Sequence, residues 1–156
     1  MGFQVTVTGA ADLTAVRRQL RAAGDRRLSQ QMARGLQRAA KPLKPAVQAS
    51  AARLLPSGYG PLMSKSVRVR TQARERRGSA SVHIRVLGQG KVENRDVAAV
   101  NRGTLRHPVF GRRRKAWIAQ RIRRGFVDRP ADRLGPDMAR EMQQVVDWVA
   151  DTITKG

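Results

Sequence analysis

Residues 28–54, LSQQMARGLQRAAKPLKPAVQASAARL, decide the fold, because apolar side chains recur along them at steps of three or four residues. This spacing predicts one helical stripe that faces the core. Pro42 and Pro45 lack a backbone N–H and crowd the preceding turn, so we expect a kink or a break close to Lys41. The Pro- and Gly-rich residues 56–61 should end the helical region. The stripe consists of Leu28, Met32, Leu36, Ala39, Leu43, Val47, Ala51 and Leu54.

Alternation of apolar and polar residues predicts strands in two other regions. Phe3, Val5 and Val7 alternate with polar residues and predict a first strand over residues 3–9. Further along, MSKSVRVRTQ and SASVHIRVL alternate in the same way and predict a hairpin joined by the basic turn ARERRG. One face of this hairpin should be apolar and the other cationic. The apolar face consists of Val67, Val69, Val82, Ile84 and Val86.

Two further helices are predicted near the ends of the chain. Asp12 is placed to cap a short first helix that ends near Gly24, with its apolar side at Leu13, Val16 and Leu20. A final helix should follow Pro130. Its apolar stripe consists of Leu134, Met138, Met142, Val145, Val149 and Ile153. Trp148 lies off that stripe and could mark an additional contact surface.

Residues 88–112 contain several glycines and a proline, so we expect loops there, with one short helix around Val97 to Asn101. Together the elements predict an α+β fold, in which a small antiparallel or mixed β-sheet is packed by a long kinked N-terminal helical region and a C-terminal helix. A length of 156 residues suits a single domain over residues 1–156. No stretch approaches the roughly 18 to 20 apolar residues that span a bilayer, so we expect a soluble, unexported chain with no membrane partner.

Positive charge is the strongest compositional feature of the chain. The chain has 32 basic residues, of which six are lysine and the other 26 arginine, and 11 acidic residues, so its net charge is +21. Arginine favours planar, bidentate recognition of phosphate or carboxylate. Residues 128–156 differ from the rest, because they hold six acids and four bases. Such a charge attracts polyanions, and we therefore expect a negatively charged partner.

The residue types needed for catalysis are scarce in this sequence. The chain has no cysteine, and its two histidines, His83 and His107, do not stand at metal-ligand spacing. Asp128 and Asp132 lie one helical turn apart beside Arg129 and Arg133, which is typical of a helix N-terminal charge pattern. No phosphate-loop pattern occurs. We therefore expect no enzyme activity, no cofactor and no metal site.

Residues 112–124, RRRKAWIAQRIRR, contain seven basic residues and no acid. These cations could neutralise nucleic-acid phosphates while Trp117 stacks on a base. Alternatively, the stretch is a basic amphipathic helix with Trp117, Ile118 and Ile122 packed on the core, or a membrane-surface helix. Arg68, Arg70 and Arg85 should share the cationic face of the hairpin, where like charges repel unless an anionic neighbour is present. The candidate contacts to a partner ring or to DNA are therefore Arg68, Arg70, Arg85, Arg112, Arg113, Arg114, Lys115, Arg121, Arg123 and Arg124.

Two segments resemble a known family, the neck and tail-completion proteins of tailed bacteriophages. The first is ARLLPSGYGPLMSKSVRVR, a helix end followed by a Pro-Gly-Leu loop and the start of a strand, and the second is NRGTLRHPVFGRRRKAWIAQRIRRGFVDRP. The first segment matches the family pattern at Pro56, Gly60, Leu62, Ser66 and Val67. The second matches it at Gly103, Thr104, His107, Pro108, Val109, Phe110, Gly111, Trp117, Gly125 and Phe126.

This resemblance implies a mechanical function without catalysis. It implies a structural virion protein, present in the host cytoplasm during assembly, that forms a homo-oligomeric ring of six- or twelve-fold symmetry at the head-to-tail junction of a long-tailed phage. Its partners would be the head-side connector, the tail-side terminator or tail-tube proteins, and the double-stranded DNA in the lumen. The alternative function is that of a free basic protein that binds nucleic acid without sequence preference.

Overall fold

The computed structural model describes residues 2–5, 10–23, 25–76, 79–108 and 117–155. The chain has an α+β fold. Within the described residues, the helices are α1 (Ala10–Ala23), α2 (Arg26–Ala39), α3 (Leu43–Leu54), α4 (Gly60–Ser66), α5 (Asn94–Asn101) and α6 (Asp128–Lys155). The strands are β1 (Gly2–Val5), β2 (Val67–Arg76), β3 (Ser79–Gly88), β4 (Thr104–Pro108) and β5 (Trp117–Arg121).

The strands form two sheets. The larger has three strands in the order β1-β3-β2, and β1 pairs antiparallel with β3, so that Phe3 is opposite Ile84 and Val5 is opposite Val82. The smaller sheet pairs β4 with β5, also antiparallel, and places Thr104 opposite Arg121. These strands account for the β part of the fold.

The chain divides into two compact units. The first consists mainly of Leu43–Arg68 and Val86–Asp132, and the second of Gly2–Pro42, Val69–Arg85 and Arg133–Gly156. The first unit thus contains α3, α4, α5 and the β4-β5 sheet. The second contains α1, α2, the greater part of α6 and the strand residues that pair with β1.

The predicted helical stripe and its break are both confirmed. All eight apolar residues of the stripe are buried. Helix α2 ends at Ala39 and α3 begins at Leu43. Between them, the Lys41 N–H donates to the Arg38 carbonyl at 3.0 Å, a tighter turn than that of an α-helix. Pro45 lies in the first turn of α3, where a missing N–H costs little because the first four N–H groups of a helix have no internal partner.

The hairpin and the final helix are also confirmed, with differences at their ends. Val82, Ile84 and Val86 are fully buried. β2 continues to Arg76, so most of the predicted turn ARERRG is strand, and residues 77–78 lie outside the described residues. α6 begins at Asp128, and its predicted stripe residues Met138, Met142 and Val149 are buried. Val146, which we did not predict, is fully buried. The other predicted stripe residues are half-buried: Leu134, Val145 and Ile153.

Near the N-terminus, the first strand is confirmed over Gly2–Val5, while the rest of its predicted length, residues 6–9, lies outside the described residues. Helix α1 begins at Ala10, so Asp12 lies in its first turn and the prediction that Asp12 is the N-cap is wrong. Alanine has the highest helix propensity, which explains the earlier start. The predicted buried positions Leu13, Val16 and Leu20 are confirmed.

Two regions contain regular structure that we did not predict. Residues 60–66 form α4, with Pro61 near its N-terminus, where proline is favourable. The strand predicted from Met63 is therefore wrong over Met63–Ser66, and β2 begins at Val67. Residues 104–108 form β4, whereas we predicted only the short helix α5 in that region.

The interpretation of residues 112–124 as an amphipathic helix is wrong over Trp117–Arg121, which form β5. Its backbone pairs with β4, and this pairing outweighs the helical spacing of its apolar residues. Ile118, predicted to pack in the core, has 48% of its surface exposed. The prediction for the Trp117 side chain and the predicted contacts in residues 112–116 lie outside the residues whose side chains are described.

Candidate functional site

The described arginines among the predicted contacts are all exposed. Arg68 and Arg70 of β2 alternate with Val67, which is buried, and Arg85 of β3 lies between the buried residues Ile84 and Val86. Each strand therefore exposes arginine and buries apolar residues beside it, as the alternation predicted. No described carboxylate lies within ion-pair distance of these three guanidinium groups.

The predicted contacts at the end of β5 and just after it are exposed as well. Arg121 is the last residue of β5, and Arg123 and Arg124 follow it before α6 begins. Among the described residues, none of these three arginines has a carboxylate partner. Arg112, Arg113, Arg114 and Lys115 belong to the segment between β4 and β5, which is not among the described residues.

Arg124 lines a cleft of about 620 Å³ at the start of α6. Two further arginines, Arg102 and Arg129, line it too, and neither has a carboxylate partner among the described residues. The cleft therefore brings together three guanidinium groups from three places in the chain. Its other lining residues are Asn101, Gly125 and Asp128.

Asn101, the last residue of α5, holds the cleft together. This residue is 2% exposed. Its Oδ1 accepts hydrogen bonds from the backbone N–H groups of Val127, at 2.8 Å, and Asp128, at 3.3 Å. Its Nδ2 donates to Oδ2 of Asp128 at 2.7 Å. This one side chain therefore caps the first turn of α6 from a residue 26 positions earlier in the sequence.

Two glycines fix the chain path at this point. Gly103 and Gly125 have φ angles of +93° and +85°, which residues with a Cβ rarely adopt. The Gly103 carbonyl accepts from the Ile122 N–H at 2.9 Å, and the Gly125 N–H donates to the Asn101 carbonyl at 2.8 Å. These two hydrogen bonds join the segment that leaves α5 to the segment that enters α6. The residue after Gly125, Phe126, is buried.

The charges of the cleft suit an anion. Its three guanidinium groups outnumber its one carboxylate, and that carboxylate is already bonded to Asn101. The N–H groups of Val127, Asp128 and Arg129 are satisfied by Asn101 and Gly125. An anion would therefore be held by the arginine side chains, which can bind phosphate or carboxylate in bidentate fashion.

Tyr59 and the two histidines do not line the cleft. Burial, and secondarily the negative charge of Asp96, raise the pKa of Tyr59 above its ordinary value of 10.0. His83 and His107 are half-buried on β3 and β4. The described residues include no group of three or more His, Asp or Glu side chains that could hold a metal ion. None of the described helices is both long enough and apolar enough to cross a membrane.

Sequence reasoning found Arg124 and missed the other members of the cleft. Arg102 and Arg129 lie outside the dense basic stretch, and no periodicity marks them. Asn101 lies at the end of an amphipathic helix, where an asparagine is unremarkable unless its distant partners are known. Comparison of the chain with protein-family models, with curated proteins and with solved structures finds no match.

Proposed function

We propose that this chain is a structural virion protein that forms part of a ring at the head-to-tail junction of a long-tailed bacteriophage. In this function it joins head to tail around the DNA channel and performs no chemistry. The proposal starts from the resemblance of residues 52–70 and 101–130 to neck and tail-completion proteins.

The observation that carries the proposal is the construction of the basic segment. β4 and β5 pair antiparallel and lead into and out of residues 109–116, whose sequence holds four consecutive cations from Arg112 to Lys115. Gly103, Asn101 and Gly125 join the base of this segment to α6. A cationic segment on a fixed base suits docking against an acidic neighbouring protein, because complementary charge sets the orientation and the rate of assembly.

The exposed arginines at the base of the β4-β5 sheet add further positive charge within the first unit. Arg121, Arg123 and Arg124 have no carboxylate partner among the described residues, so their charges are free to meet an acidic ring or the phosphates of DNA in the lumen.

Joining of heads to tails in vitro tests the proposal. Heads and tails assembled without this protein are mixed with the purified chain, and infectious particles are counted. The variant Arg112→Ala/Arg113→Ala/Arg114→Ala should fold normally and lower the yield of joined particles strongly. The matched control Arg26→Ala/Arg27→Ala/Arg53→Ala removes the same charge from exposed helical positions and should lower it much less. Equal yields for the two variants would contradict the docking role.

A second candidate function, nonspecific nucleic-acid binding, is favoured by the same antiparallel pair. A two-stranded β-ribbon fits the major groove of B-DNA, and arginine contacts phosphates in bidentate fashion. A free DNA-binding protein should hold duplex DNA with an affinity that falls steeply with salt, with a log-log slope of about 0.9 for each phosphate contacted. Tight, salt-dependent binding without any activity in head-to-tail joining would favour this second function.

A further inference from the structure

A groove of about 1040 Å³ lies in the second unit, between α2 and α6. At its floor the two helices approach closely, since a Cβ added at Gly35 would lie 2.7 Å from a γ carbon of Val145. Trp148, with 49% of its surface exposed, lines the α6 side. A tryptophan exposed to this extent beside a groove provides apolar area that a partner can cover.

The α2 side of the groove is cationic. Arg34, Arg38 and Lys41 line it, all three are exposed, and helix α2 contains no acidic residue. Glu141 is the acidic residue that lines the opposite side. No described carboxylate, including that of Glu141, lies within ion-pair distance of the three cations. Their positive charge is therefore not neutralised by the described residues.

The outer face of α6 carries the opposite charge. Of its four acidic residues between positions 137 and 151, Glu141 lines the groove and Asp137 pairs with Arg140 at 3.4 Å, which leaves Asp147 and Asp151. Asp147 and Asp151 are exposed, and Asp151 follows Trp148 by three residues, so the two side chains are neighbours on the helix surface. The same unit therefore presents a cationic groove and, beside it, an acidic ridge that carries an exposed tryptophan.

We propose that the occupant of this groove is a second copy of this chain. In the pair, related by a two-fold axis, Trp148 of each copy enters the groove of the other, and Asp147 and Asp151 of each copy meet Arg34 and Arg38 of the other. A groove and a ridge that lie side by side and complement each other in charge satisfy both contacts at once in a two-fold pair. This association goes beyond the proposed function and does not depend on it.

The net charge of +21 does not prevent such a contact. At physiological ionic strength the Debye length is about 8 Å, so repulsion between distant parts of the two copies is screened, while ion pairs in direct contact are screened less. Residues 137–151 are locally acidic, so the cationic groove of each copy meets a surface of opposite charge on the other.

Charge reversal tests the pairing, with sedimentation velocity as the measurement. Wild-type chain, of 17.3 kDa, should form a species of twice that mass as concentration rises. Two variants reverse one side of the contact each: Arg34→Glu/Arg38→Glu and Asp147→Lys/Asp151→Lys. For each variant alone, the dissociation constant of self-association should rise more than tenfold, because like charges then face each other. Mixed together, the two variants should form a heterodimer, because both contacts again join opposite charges. All four positions are exposed, so folding, checked by circular dichroism, should be unchanged.

The control Arg26→Glu/Arg27→Glu makes the same charge change on α2 away from the groove and should leave self-association near the wild-type level. Trp148→Ala should weaken it. The proposal would be overturned if the wild-type chain stayed monomeric at every concentration. It would also be overturned if the groove were bound only by an added acidic protein or by DNA. Variants that fail to pair when mixed would overturn it as well. These outcomes leave the head-to-tail joining assay untouched, because that assay concerns Arg112, Arg113 and Arg114.

Discussion

Replacing Asn101 with alanine should destabilise the chain by about 3 kcal/mol. The change leaves the buried Val127 N–H without a partner, which costs about 1 to 3 kcal/mol. It also removes the 2.7 Å bond to the Asp128 carboxylate, and hydrogen bonds to charged groups contribute about 1.5 to 3 kcal/mol. The two losses are not fully additive, because both groups belong to one network and the Asp128 carboxylate can turn to water.

Denaturant unfolding followed by circular dichroism measures this cost, and Asn94→Ala is the matched control. Asn94 begins the same helix that Asn101 ends, and its side chain also accepts one backbone N–H, that of Gly88, at 2.9 Å, but this bond is exposed to water. Its loss should cost no more than about 1 kcal/mol. If the two variants unfold at the same denaturant concentration, the reasoning about the Asn101 network is wrong.

The variant Asn101→Asp separates hydrogen bonding from charge. An aspartate keeps the acceptor for the Val127 N–H, but it faces the Asp128 carboxylate with a second carboxylate where an N–H donor stood. Two adjacent carboxylates repel when both are charged, and in acid one of them takes up a proton and can donate a hydrogen bond to the other. The destabilisation relative to wild type should therefore be largest near neutral pH and shrink as the pH falls. A difference that does not change with pH would contradict this account.

Three further predictions concern stability. Gly35→Ala should destabilise the chain by about 1 kcal/mol, because overlap with Val145 outweighs the better helix propensity of alanine, and adding Val145→Ala should reduce the loss in urea unfolding. Gly125→Ala should cost about 1 to 2 kcal/mol in the same unfolding experiment, because its positive φ strains a residue that has a Cβ. The raised pKa of Tyr59 means that the folded state holds this proton more tightly than the unfolded state, so this contribution to stability is present below about pH 10 and lost above it. The difference in melting temperature between wild type and Tyr59→Phe should therefore change above that pH, and a constant difference would contradict the assignment.

Local periodicity in the sequence predicted the parts of the fold whose elements each bury one face. The stripe from Leu28 to Leu54, its break before Leu43, the hairpin and the final helix all follow from this pattern and from proline chemistry. β4 and β5 escaped prediction, because these strands are stabilised by pairing with each other across the intervening residues 109–116, and Ile118 and Ile122 match helical spacing equally well.

The candidate site was predictable only in its charge. The dense arginines indicated a cationic surface, and the described ones are exposed. The cleft depends on long-range hydrogen bonds from Asn101, which bring Arg102 and Arg129 to Arg124. A sequence read one segment at a time contains no signal for contacts of this kind.

The hydrogen bonds of Asn101, Gly103 and Gly125 that close the base of residues 104–124 bear on how such a protein diverges and how it can be engineered. The base is held by backbone groups and one amide side chain, none of which belongs to the arginine-rich stretch between β4 and β5. Substitutions in that stretch therefore leave these hydrogen bonds in place, so its sequence can change to suit a new partner while the base is kept. For the same reason, a peptide tag or a reporter sequence exchanged into residues 109–116 should be tolerated.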